Sequence, residues 1–168
     1  MVSAKTVTRL RTPVTILMLT CALMGASCRK ANNASFVGTF RMGERVQLGP
    51  LVYQVLESDW RNELGADGRS PKDRYLFVKV SITNSSGSTI SVPAFTIEGN
   101  GKSFPEVTEQ MDKVDNWLGL LRNIGGSQTE QGWAVFDAPM ATYKLVATDG
   151  GEIGSERFAH VDIPVQLE

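Results

Sequence analysis

The clearest periodic signal along the chain lies at residues 74–84, where Leu76, Val78, Val80 and Ile82 alternate with Phe77, Lys79, Ser81 and Thr83 before Asn84-Ser85-Ser86-Gly87. A period of two that ends in a polar turn predicts a strand of hairpin type. Shorter runs of the same kind occupy 45–48, 51–58, 89–92, 94–98, 131–136, 143–147 and 158–165. Gly49-Pro50, Pro93, Gly99-Asn100-Gly101, Gly125-Gly126 and Gly150-Gly151 separate them, with a polar stretch at 65–71. Many short strands punctuated by Gly and Pro turns predict an all-β domain, a sandwich or a barrel. One segment departs from this period. Over 106–121 the apolar residues Val107, Met111, Val114, Leu118 and Leu121 fall three and four apart, which predicts a short helix or an irregular excursion between strands.

The amino-terminal pattern is of another sort. Lys5, Arg9 and Arg11 precede an uncharged run at 12–27 that holds Val14, Ile16, Leu17, Met18, Leu19, Ala22, Leu23 and Met24. A basic region, an apolar region and a small-residue ending at Gly25-Ala26-Ser27 have the form of a secretory signal covering residues 1–27. The uncharged run is shorter than the ~20 residues a helix needs to cross a bilayer core, which disfavours a retained anchor. Cys28 follows at once, and Gly25-Ala26-Ser27-Cys28 resembles the lipobox of bacterial lipoproteins, in which the Cys becomes the first mature residue and is acylated. The match lacks an aliphatic residue at position 25. The alternative is plain cleavage after Ser27, which leaves Cys28 a free thiol. Cys21 leaves with the signal, so no intramolecular disulfide can form in the mature chain, and acylation would remove a lone thiol from an oxidising compartment. Residues 28–41 lack periodicity in their polar part and read as a tether, with the folded domain over 42–168. The protein is thus expected outside the cytoplasm, held to the envelope membrane through lipid on Cys28, or otherwise secreted.

Composition narrows the chemistry. The 168 residues are 42% hydrophobic and 21% charged with a net charge of −1, which suits one globular domain and offers no basic excess to nucleic acid. Without its leader the chain keeps fourteen Lys and Arg against eighteen Asp and Glu, a net charge of −4, so a polybasic membrane face is not expected. There is no GxSxG, Gly-rich phosphate loop, HExxH or CxxC, and His160 is the single histidine. The acids Glu57, Asp59, Glu63, Asp67 and Asp73 lack the spacing of a calcium loop and read as a solvated surface. No metal, cofactor or catalytic residue is expected. Trp133 falls in a strand and should pack in a core, whereas Trp60 and Trp117 could contribute to a binding surface. Glu57, Asp59 and Trp60 together form the best guess for a carboxylate-and-platform site, the basis of an alternative reading as a secreted ligand-binding or hydrolytic domain.

The order of several pieces carries a family resemblance. They are Gly43-Glu44, Leu51-Val52-Tyr53-Gln54-Val55, the strand ending in Asn84-Ser85-Ser86, Phe95-Thr96-Ile97, Gly101-Lys102-Ser103-Phe104, Gly132-Trp133-Ala134-Val135-Phe136-Asp137-Ala138-Pro139 and Tyr143-Lys144-Leu145. From about residue 42 to 147 the chain resembles the DUF4352 family of bacterial extracytoplasmic domains. The resemblance implies an immunoglobulin-like β-sandwich, commonly on secreted proteins or surface lipoproteins, and transfers no catalytic residue. The stretch 112–123 is long for a connection in that pattern. The functional expectation is a non-enzymatic envelope lipoprotein whose tethered sandwich binds a protein or envelope component through loops or an open sheet edge.

Overall fold

The computed structural model describes residues 34–65, 68–120, 122–152 and 154–165. Eleven strands run β1 (Ser35–Arg41), β2 (Arg45–Leu48), β3 (Leu51–Arg61), β4 (Tyr75–Asn84), β5 (Ile90–Val92), β6 (Thr96–Gly99), β7 (Lys102–Pro105), β8 (Arg122–Ile124), β9 (Thr129–Asp137), β10 (Tyr143–Thr148) and β11 (Arg157–Ile163). A five-stranded sheet in the order β1-β11-β10-β6-β7 faces a four-stranded sheet in the order β2-β3-β4-β9, and β5 pairs with β8 separately. The fold is an all-β sandwich. Its core lies between the facing sheets, where alternation aims Val46, Tyr53, Leu76, Val80, Ile97, Phe136, Leu145 and Val161 inward. At about 25 cal/mol per Å² of apolar surface, this layer is the main stabilising term.

The predicted strands recur with boundary shifts of a few residues. The longest change is in β3, which continues to Arg61 past a bulge between Val55 and Glu57. That bulge inserts one residue and reverses which face the following side chains take.

One expectation is corrected. The tether does not reach residue 41, because β1 begins at Ser35 and pairs in parallel with β11, from Ser35 opposite Arg157 to Arg41 opposite Asp162. The polar composition of residues 29–35 hid a strand whose inward Phe40 packs against the core. Of the two readings of 106–121, the irregular excursion between strands holds: among the described residues its helical part is one 3-10 turn at Met111–Lys113. Its backbone bonds to β9 instead: the Val107 N–H donates to the Val135 carbonyl at 2.7 Å, and the Trp133 N–H to the Asn116 carbonyl at 2.8 Å. Left-handed φ values at Gln110, Asn116 and Gly119 interrupt any helical repeat. The apolar spacing is used all the same. Met111 and Val114 join Leu64, Tyr75, Phe77 and Val135 in a second small core on the outer side of the four-stranded sheet, while Leu118 packs against the main one.

A buried ion pair closes this strap. Glu106 and Arg122, fully buried, bond through Oε1 and Nη2 just before and just after the segment. Arg122 also donates to the carbonyls of Gly119 at 2.8 Å and Pro93 at 3.1 Å, and Glu106 Oε2 accepts the Phe95 N–H at 3.0 Å. Both charges therefore keep several hydrogen bonds out of water.

Candidate functional site

The outer face of the five-stranded sheet is partly open: along β10, Lys144 is exposed and Val146 and Thr148 are half-buried. Register sets its surface in rows. Arg41, Asp162, Lys144 and Glu98 lie opposite one another across β1, β11, β10 and β6, while Phe36 lies opposite Phe158, and Phe158 opposite Thr148, toward the other end of the strands. At the charged end the β6–β7 hairpin turns through Asn100 and Gly101, both with positive φ, as a two-residue Asn-Gly turn requires. Gly99 lets that hairpin lie close to its neighbour, since a Cβ there would meet the Tyr143 ring at 2.7 Å and the Thr142 carbonyl at 2.9 Å.

The result is an open cleft of about 610 Å³ lined by Glu98, Lys102, Ser103, Thr142, Lys144 and His160, with Tyr143 in its floor. His160 Nε2 lies 3.7 Å from Glu98 Oε2, beyond hydrogen-bond range. Burial lifts the Tyr143 phenol, assisted by the Asp73 charge, and its hydroxyl donates to the Pro139 carbonyl at 2.6 Å. Tyr143 is thus a held wall of the cleft and a poor proton donor to it. Two ammonium groups, one carboxylate and one imidazole around an aromatic floor can recognise a charged group by hydrogen bonds and ion pairing.

At the other end of the face, Phe36 stacks on Phe158 and His160 with ring centroids 5.3 and 5.1 Å apart. Sequence reasoning missed Phe36 because it stood in the supposed tether. The sign available was the apolar Phe36, Val37 and Phe40 within an otherwise polar stretch. The cleft was missed because its residues come from four strands and become neighbours only through pairing.

Glu57, Asp59 and Trp60 do not form one site. After the β3 bulge, Glu57 and Asp59 lie opposite Lys79 and Phe77 on the outer side of the four-stranded sheet, and Trp60 lies opposite Leu76 and packs against the main core. Glu57 is 3.8 Å from Lys79 Nζ, and Asp59 bonds Arg61 at 2.7 Å. Trp60 meets Tyr143 inside the sandwich at 6.2 Å. Trp133 packs edge-on against Phe77 in the second core, 5.9 Å away, with Trp117 beside that cluster. Cys28 and Asp67 lie outside the described residues. Among the described residues no three His, Cys, Asp or Glu side chains group to hold a metal, and no helix is long and apolar enough to cross a membrane.

With this geometry established, the model of a domain of unknown function, DUF4352, matches residues 40–157. The chain belongs to the DUF4352 family. Solved structures share the fold of this DUF4352 domain. A candidate lipoprotein of Bacillus subtilis, ycdA, aligns with a TM-score of 0.58 at 14% identity, covering 74% of this chain and 39% of that one. The domain therefore spans well under half of that protein. The yjhA protein of Bacillus subtilis aligns with a TM-score of 0.55 at 20% identity, over 73% of this chain and 99% of that one. A protein of unknown function from Listeria monocytogenes aligns with a TM-score of 0.55 at 13% identity, over 73% and 82%. No curated protein matches the chain.

Proposed function

We propose that this DUF4352 domain is a non-enzymatic envelope lipoprotein, acylated on Cys28, that presents the outer face of its five-stranded sheet to a protein or other envelope component. The observation that carries the reading is the run Gly25-Ala26-Ser27-Cys28, placed seven residues before the first strand of the sandwich. A linker this short ties a rigid scaffold to its attachment point and leaves the opposite end of the sheet to meet a partner. A structural relative described as a candidate lipoprotein supports the same class. The separation of Glu57 and Asp59 from Trp60 on the two faces of β3 leaves no shared site of these three residues for a hydrolytic reading.

The cleft at Glu98, Lys102, Lys144 and His160 favours one second reading, a secreted domain that takes a small charged ligand there. Intact mass and fractionation after expression in a bacterial host separate the two. The expected result is a wild-type protein that loses residues 1–27, gains acyl mass and sediments with membranes, with Cys28→Ser soluble and unacylated. A soluble, unacylated wild type would overturn the lipoprotein reading and leave the secreted one.

A further inference from the structure

We infer that Phe36 and Val37 seat the domain on the lipid surface beside the anchor, so that the β6–β7 turn at Asn100-Gly101 lies on the side away from the membrane. This rests on acylation of Cys28 and adds an orientation to it. Phe36 is 51% exposed and Val37 47%, and they are the adjacent pair among the large apolar residues that the domain leaves open. They are also the ones nearest the anchor along the chain, eight and nine residues after Cys28. A chain spans at most ~3.6 Å per residue, so the tether holds Phe36 within about 29 Å of Cys28, a reach that lets it meet the lipid surface. The short tether makes the contact intramolecular, so a weak insertion is occupied at high effective concentration.

Charge points the same way. The mature chain carries a net −4, so no overall positive charge draws the domain to an anionic surface; Arg29 and Lys30 act only beside the anchor, and apolar contact is the means by which Phe36 and Val37 seat. Phe36 does not enter as a lone ring, since Phe158 and His160 stack behind it and hold it in place. The strand direction then sets the outcome. Phe36 and Phe158 lie at the start of β1, while Arg41, Asp162, Lys144 and Glu98 lie at its far end, with the hairpin turn Asn100-Gly101 beyond them.

The test labels the thiol introduced by Val37→Cys with an environment-sensitive dye. The acylated protein is reconstituted in vesicles of phosphatidylcholine and phosphatidylglycerol. Phe36→Cys serves as a second site should the first fail to fold, and Asn100→Cys as the distal control. Intact mass establishes acylation first. The expected result is a blue-shifted label near Val37, quenched by lipid-borne nitroxide, with aqueous iodide quenching reduced roughly threefold relative to the Asn100 position, as for a group held at the headgroup boundary. Equal iodide access at the two positions on acylated protein overturns the orientation and leaves the lipoprotein reading intact. Shielding of the label without vesicles also overturns it, by assigning the patch to a protein contact. Absence of the acyl chain removes both.

Discussion

Glu106 and Arg122 carry opposite charges with no exposed side-chain surface, and each is held by further hydrogen bonds to the segments they join. Removing either partner leaves the other charge buried and unpaired, so Glu106→Ala or Arg122→Ala should each lower the unfolding free energy by about 3–5 kcal/mol. Replacing both by Met should cost much less than the two single losses together, a difference that urea denaturation of the three variants measures. Asp149 makes a different prediction. Burial pushes its carboxyl up, but the Arg157 side chain and the backbone N–H groups of Gly151 and Arg157 bond the ionised form and hold it below its ordinary value of 3.8. A group depressed on folding stabilises above its unfolded value and loses that contribution as pH falls through the folded one. Wild type should therefore lose its advantage over Asp149→Asn as pH drops from about 4 toward 2, as read from paired denaturation curves. These roles were not legible in the sequence, because each needs partners distant along the chain. Asn84 shows the limit well. It reads as a turn residue, and it is one, but its buried amide also donates to the carbonyls of Ser88 at 2.7 Å and Ile124 at 2.9 Å, tying β4 to the small β5–β8 pair.

At the scale of elements, alternation located most of the strands, β4 most clearly. It gave no sign that β4 is covered on both sides, with Phe77 packing outward into the second core. The strap over 106–121 has helical spacing because its apolar side chains reach two cores in turn, while its backbone bonds to β9. β1 was hidden by composition, and the family match too begins at residue 40, near its end. A chain that starts at Met42 would expose the edge of β11 and lose the inward contact of Phe40. Its melting temperature should fall by roughly 10 °C or more, at about 3 °C per kcal/mol for a domain of this size, in thermal denaturation followed by circular dichroism. A truncated domain as stable as the full one would show that β1 adds nothing to the stability of the sandwich. The candidate cleft was the least legible element of all: its hairpin turn was visible as Gly99-Asn100-Gly101, but the neighbours that complete it come from β10 and β11.

For the whole molecule, the two ends of the described chain meet in one ladder, since β1 and β11 are adjacent and run in the same direction. The entry of β1 and the exit of β11 therefore lie at opposite ends of the same pair. A pull between the upstream chain and a load at the downstream end acts along the strands. It loads the ladder from Ser35–Arg157 to Arg41–Asp162 in shear, on both sides of the bulge between Phe36 and Gly38, and does not peel it apart in sequence. Resistance to such a pull is set by the rate of unfolding under load and not by the equilibrium stability alone. A strand that looked like slack in the sequence is placed to make the entry of this domain a mechanical clamp.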